Sequence, residues 1–383
     1  MTIDTVDTLV IYILYMITMM ISYLFSWKKW NWYAIISFTL ILGLKGNGID
    51  YNIYNYAFSL LVRNTNSFFS SKYLNMLNDN MVGIDFGYLH LAIIKLISYF
   101  STSSIWYFSF LALLQILGLD LFVQQYKQKS KKSLIVFFFF TTLMFSETFI
   151  AMRQMSAFLL YLPMIKFIAN REWKKYIVGC LILATIHKSI LVMLPLYFIA
   201  SREYFKNVKI QFFIYLGVVA FATILEKKFG NILSLLFANV DDFNYAGYFN
   251  DSDTFKFSVN RSTMVYFFRF SVLLFLLSNY KNFVDKYKTI GVIFYNLVFC
   301  GYLIQELSFN LSIYRINYYF YYNSFIVLAL MVYDRFKFSR NNLQVVFASY
   351  IMLLHCFWFA NCVLKGASDC APYKLCRDVL IYF

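Results

Sequence analysis

The chain has 383 residues, of which 61% are hydrophobic, 22% aromatic and only 14% charged. A soluble domain is roughly 45–50% apolar and about 25% charged, so a soluble globular protein is excluded and the apolar surplus calls for a lipid-facing surface. The net charge of +15 sits in short loops between apolar runs, with no basic cluster forming a groove, which argues against nucleic acid as a partner and makes the charge a topology signal.

The N-terminal MTIDTVD lacks a positively charged leader. The apolar run after it therefore reads as a first span and not as a signal peptide. Spans of about 20 apolar residues, fewer where partner helices cover the ends, are expected at 8–25, 30–44, 105–123, 133–149, 152–169, 210–225, 263–278, 289–306, 316–333 and 343–362. The expected fold class is an all-α polytopic membrane protein of about ten transmembrane helices, forming a single transmembrane domain over 1–383. No internal repeat or soluble domain interrupts it. With 13 Gly and 3 Pro, the chain is poor in the residues that break helices in gated transporters.

Six short loops carry more than half of the 34 basic residues. They hold Lys28 and Lys29; Lys127, Lys129, Lys131 and Lys132; Arg171, Lys174 and Lys175; Arg202, Lys206 and Lys209; Lys281, Lys286 and Lys288; and Arg335, Lys337 and Arg340. The acids counted with them are Asp120, Glu172, Glu203, Asp285 and Asp334. The positive-inside rule assigns all six loops to the cytoplasm and the N-terminus to the outside. Residues 84–100 then read as an amphipathic helix on the outer interface. Residues 176–200 start and end inside, so they read as a re-entrant helical hairpin with His187-Lys188-Ser189 at its tip. The rival is one ordinary span with Lys188 near the midplane, which would invert every later loop. Three sizeable outer segments remain, at 45–104, 226–262 and 363–383, so the chemistry is expected to face outward.

Ionisable groups within or beside spans are costly and are functional candidates by default. Arg153-Gln154 falls at the outer turn between two spans, where a pair with Glu147 is the plain alternative. His187-Lys188-Ser189 interrupts two apolar legs. Arg315 opens a span and could simply snorkel; Arg269 lies a turn or two into another. In KGNGIDY, Lys45, Asp50 and Tyr51 mark the outer mouth, with a turn and an N-cap Asp as the structural alternative. Asp85 is a second outer carboxylate, or a helix cap. Several cations with one or two carboxylates suit a phosphate or pyrophosphate group and proton transfer from a hydroxyl. Cys180, Cys300, Cys356 and Cys362 lie in apolar runs as packing residues. Neither a CxxC pair nor a Cys/His cluster occurs, so no metal and no cofactor is expected. Cys370 and Cys376 could pair if their polar tail is extracytoplasmic.

GIDYNIYNYAF, D-x-G-Y, MRQMSAFLL, IHKSI, YRINYYF and a terminal PYK occur in that order over about 45–375. Together they resemble the EpsG-like branch of Wzy-type polysaccharide polymerases. Lys45 stands where the family usually has Arg, and Asp85 where it usually has Glu; Asp50, Tyr51, Arg153, Gln154, His187, Ser189 and Arg315 match. The resemblance implies transfer of a growing glycan from undecaprenyl pyrophosphate to a hydroxyl of a lipid-linked repeat unit at the outer face of the bacterial inner membrane. A GT-C-like architecture is compatible with it. It implies pyrophosphate binding by Arg153, Lys188 and Arg315 and a base in Asp50 or His187. Lys45, Tyr51, Asp85, Gln154, Ser189 and Arg269 support them, and no metal or nucleotide is needed. The implied partners are undecaprenyl-pyrophosphate-linked oligosaccharides, membrane lipid and a chain-length regulator. The readings weighed against it are another lipid-dependent glycosyltransferase or ligase, a lipid-linked-sugar flippase, and a membrane O-acyltransferase using His187.

Overall fold

The computed structural model describes residues 3–25, 31–46, 51–63, 88–228, 263–307, 311–366 and 373–374. Asp50, Asp85, Lys28, Lys29, Cys370 and Cys376 lie outside the described residues.

All regular structure among the described residues is helical. In chain order the helices are α1 (Ile3–Phe25), α2 (Trp32–Gly43), α3 (Tyr51–Arg63), α4 (Tyr88–Ser98), α5 (Ile105–Val123), α6 (Lys129–Thr141), α7 (Met144–Ile150), α8 (Met152–Tyr161) and, after a 3-10 turn at Leu162–Met164, α9 (Ile165–Ala169). Next come α10 (Trp173–Ala184), a 3-10 segment at Lys188–Met193, α11 (Leu196–Ile199), α12 (Val208–Lys228), α13 (Thr263–Leu307), α14 (Leu311–Tyr321), α15 (Ser324–Phe338) and α16 (Asn342–Leu364). They form two compact units. The first holds the described residues of Met1–Phe68, Gly87–Leu194 and Phe325–Phe383, the second those of Pro195–Ser324.

Among the described residues four helices are long and apolar enough to cross a bilayer, namely Asp4–Phe25, Ile105–Val123, Thr263–Leu307 and Asn342–Leu364, and the bent pair α6–α7 makes a fifth if it crosses as one. Large apolar side chains on them, such as Leu14, Leu353 and Phe357, are exposed. This is a membrane protein. The expected spans outnumber these because several are short or broken. Residues 30–44 give the 12-residue α2, and 133–149 bends by 56° between α6 and α7. The 152–169 stretch breaks at Pro163, and 316–333 breaks between α14 and α15.

These breaks correct the expectation drawn from the few Gly and Pro. The α6–α7 corner is Thr142-Leu143, with Leu143 left-handed at φ 66°. Thr141 and Thr142 hydroxyls donate back to the Phe137 and Phe138 carbonyls (3.0 and 2.6 Å). Asn323 Nδ2 donates to Tyr319 O (2.7 Å) at the next break. Side-chain donors thus add hydrogen bonds to the carbonyls of the last turn before each break.

In the first unit, polar groups sort to two ends. At one end Tyr23 OH and Gln124 Nε2 donate to Asp120 Oδ1 (2.6 and 3.2 Å). Lys132 donates to Gln124, Asn31 Nδ2 donates to Ser22 Oγ (2.9 Å), and Lys131 lies over the Tyr333 ring (5.1 Å). Asn31 before α2, Lys131 and Lys132 in the first turn of α6 and Tyr333 of α15 therefore share one end. Asp120 was expected as a loop acid; it is fully buried within α5, because the last turn of that helix packs against α1. On the basic turn before α10, the Glu172 carboxyl is held below the usual carboxylate range by hydrogen bonds from Lys175 and Asn170.

Helix contact in this unit depends on Gly118. A Cβ there would stand 2.5 Å from the Leu159 carbonyl carbon, so α5 and α8 meet backbone to backbone. Past α10 the chain folds back on itself. Tyr176 OH donates to Met193 O (2.5 Å), whereas 17 residues of straight helix would separate them by about 25 Å. The turn is at His187, which is extended (φ −150°, ψ 116°).

In the second unit, α13 breaks at Lys288 (φ 53°, ψ −136°). The Tyr280 and Tyr295 ring centroids are 4.5 Å apart, against about 22 Å along a straight helix, so α13 is a hairpin whose arms are the expected 263–278 and 289–306 spans. Asn296 Nδ2 donates to Ala200 O and Arg202 O (2.8 Å each), and Tyr295 OH donates to Gln211 Oε1 (2.5 Å).

Candidate functional site

The α7–α8 corner concentrates the predicted residues of the first unit. Ala151 (φ −103°, ψ 55°) ends α7 and begins α8. Every residue of α7 is buried, so the corner is a rigid one. Lys45, just past α2, is 0% exposed. Its ammonium donates to the Phe149 carbonyl and lies 5.3 Å from the Phe149 ring and 5.9 Å from the Phe108 ring. Phe149 O is one of the last carbonyls of α7, where a cation meets both an orphan acceptor and the negative end of the helix dipole. Lys45 is thus a positioning residue that holds the corner from below. Tyr51 stacks on Phe108 (4.9 Å between centroids, 24° between planes).

Arg153 stands in the first turn of α8. Its Nε donates to Tyr54 OH (3.1 Å), and the guanidinium lies 5.2 Å from the Tyr54 ring centroid. Arg153, Gln154 and Glu147 are all buried. No side chain caps the α8 N-terminus. Backbone N–H groups and the positive end of the dipole therefore coincide with a guanidinium, an arrangement suited to an anion. Gln115 Nε2 donates to Met152 O (3.0 Å) and ties this turn to α5.

The hairpin tip packs alongside, with the Lys188–Met193 segment contacting α8. Tyr161 OH meets Tyr176 OH (3.1 Å), and Tyr176 OH meets Met193 O, which sets Tyr161 and Met193 near one level. Arg153 precedes Tyr161, and His187 precedes Met193, each by about 12 Å of helical rise. The segment that carries the tip therefore docks on the helix that carries Arg153. His187 Nδ1 and Ser189 Oγ are 2.5 Å apart, and Lys188 is exposed.

The second unit holds the other two predicted cations. Arg269 Nη1 is 3.3 Å from Glu306 Oε1, which also accepts from Tyr215 OH (3.0 Å); all three are buried. Arg315 is half-buried on α14. Among the described residues no group of three or more His, Cys, Asp or Glu could hold a metal ion.

The model of the EpsG family matches residues 31–375. The chain belongs to the EpsG family. No curated protein and no solved structure matches it. EpsG-family membership suggests a polymerase-type function in exopolysaccharide or O-antigen assembly, and the matched range takes in every site residue named above.

Sequence reasoning missed three groups in this EpsG-family chain. Tyr54 carries a signal, one helical turn after Tyr51 in a Tyr-rich first turn. Glu306 carries one too, as an acid inside an apolar run. Tyr373, described below, carries none beyond its place in the terminal PYK.

Proposed function

We propose that this EpsG-family protein is a polysaccharide polymerase. It transfers a growing glycan from undecaprenyl pyrophosphate to a hydroxyl of a lipid-linked repeat unit at the outer face of the bacterial inner membrane. The observation that carries the reading is Arg153, buried in the first turn of a helix on which the segment beginning at the His187–Ser189 tip docks. Glycosyl transfer from a pyrophosphate needs a fixed positive site where negative charge develops on the leaving group. It also needs a group that accepts the hydroxyl proton.

In this reaction the acceptor oxygen bonds to the anomeric carbon, the carbon–oxygen bond to pyrophosphate breaks, and the hydroxyl proton passes to a base. Arg153 and Lys188 of the first unit bind the pyrophosphate, and the family resemblance gives Arg315 the same role; His187 or Asp50 takes the proton; Tyr51, Gln154, Ser189 and Asp85 support substrate binding, and a chain-length regulator is a natural partner. Arg269, paired with Glu306, fits a structural role better than a pyrophosphate contact. The chemistry asks no metal of this donor set.

Complementation of a deletion strain tests the proposal. Wild type should restore a ladder of repeat units, and Arg153→Ala and Arg315→Ala should leave one unit per acceptor. A deletion strain that keeps its ladder, or loses the single-unit band as well, overturns it. The helix breaks at Leu143 and Asn323 favour one second reading, a flippase for lipid-linked sugars, since transporters use broken helices. Polymer made by purified protein in vesicles supplied with outward-facing substrate rules the flippase reading out.

A further inference from the structure

Residues 373 and 374 lie far from the rest of the site in sequence, yet they touch its foundations. Tyr373 N–H donates to Thr8 Oγ1 of α1 (2.9 Å), and Tyr373 OH donates to Ile41 O in the last turn of α2 (2.6 Å). Its ring meets the Phe149 ring edge-on at 6.3 Å. Lys374 O accepts from Gly46 N–H (2.6 Å), one residue after Lys45. Two residues thus join α1, the end of α2, the residue following Lys45 and the Phe149 ring at the end of α7.

Lys45 makes this junction matter. Its ammonium holds the Phe149 carbonyl and so sets where α7 ends and α8 begins. Lys45 can do so only while its own backbone is fixed. On its N-terminal side that backbone is fixed by α2, whose end the Tyr373 hydroxyl caps. On its C-terminal side it is fixed by the Gly46–Lys374 hydrogen bond. The end of a helix frays unless its last carbonyls find donors, and here the donor is the Tyr373 phenol.

We propose that Tyr373-Lys374 is a C-terminal strap that positions Lys45, and through it the Arg153 corner. Tyr373 is a positioning residue, remote from the reacting atoms. Its role in turnover rests on the polymerase reading; its role in holding residues 41–46 does not.

The test uses full-length protein purified in lipid nanodiscs, as wild type, Tyr373→Phe and Tyr373→Ala. Hydrogen exchange of peptides covering 41–46 reads the strap without any catalysis. Exchange should be about tenfold faster in Tyr373→Ala and less so in Tyr373→Phe, which keeps the ring and loses one hydrogen bond. Unchanged exchange in both variants overturns the strap. Inhibition of polymer formation by inorganic pyrophosphate reads the corner. Tyr373→Ala should need about tenfold more pyrophosphate than wild type, with Tyr373→Phe between them, at an unchanged melting temperature. Faster exchange with unchanged pyrophosphate inhibition overturns the link to Arg153. A wild-type protein that makes no polymer sinks the polymerase reading, and the exchange result still decides the strap.

Discussion

The two ends of the first unit are fastened in different ways. At the basic end side chains grip side chains: Tyr23 and Gln124 on Asp120, Lys132 on Gln124, Asn31 on Ser22. At the opposite end side chains grip backbone: Lys45 on the Phe149 carbonyl, Tyr373 on the Ile41 carbonyl, Gln115 on the Met152 carbonyl. A side-chain pair fixes two helices but adds a partner that competes for charge. A backbone acceptor fixes the helix end itself and brings no ionisable group. The second method orders the corner around Arg153 through carbonyls, beside the one buried carboxylate of α7, Glu147.

The comparison breaks most sharply at Arg153. Arg153→Ala should lower polymer formation by about a hundredfold or more, as loss of a preorganised electrostatic contact does, while thermal unfolding in detergent moves little. A matching fall in melting temperature would make Arg153 a structural residue. At the basic end the expected pattern is the reverse. Asp120→Leu should cost about 2–3 kcal/mol of stability through the stranded Tyr23 and Gln124 donors, seen as a lower melting temperature, with activity per folded molecule retained. Asp120→Asn should cost less, since its amide oxygen can still accept from Tyr23 and Gln124. Lys45→Met joins both behaviours, with about tenfold less polymer and about 1 kcal/mol of stability lost as the α7 terminus loses its cation. Tyr54→Phe deletes the 3.1 Å hydrogen bond to Arg153 and keeps the ring beneath the guanidinium. It should cost activity only several-fold, about the value of one hydrogen bond. The smallest effect is a gain: Leu143→Gly relieves a left-handed backbone and should raise stability by about 1 kcal/mol, read by thermal unfolding. A loss there would mean that the Leu143 side chain matters more than its φ.

The same contrast explains what could be read from sequence. Apolar runs are a local property, so the helical membrane character was legible. Arg153 and His187 stood out as candidates because an ionisable side chain in an apolar run is costly, with a Glu147 pair as the plain alternative for Arg153. The grips on backbone were silent, because Phe149 and Ile41 offer carbonyls that any residue would offer. The corner at Thr142-Leu143 was hidden by threonines that satisfy it without Gly or Pro. Asp120 was misread because a Lys-rich loop follows it closely, although its helix carries it into the packed end. Glu306 drew no notice because its partner Arg269 lies 37 residues away, and only the fold of α13 at Lys288 brings the two together.

The fold-back at His187 also bears on how the chain is made. The translocon passes segments sideways into lipid when they are long and apolar enough to be stable there alone. The leg Trp173–Ala184 has 12 residues and reaches about 18 Å, well short of a hydrocarbon layer of about 30 Å. Neither arm of the hairpin can be handed over as an independent span. The pair needs Tyr161 of α8, which precedes it in the chain, already in place as a partner, and then enters as a unit by lateral docking. Its insertion is therefore a late, partner-dependent event in biogenesis. Substitutions at the Tyr161–Tyr176 contact should surface first as chains degraded by membrane quality control, before any defect in sugar chemistry can be seen.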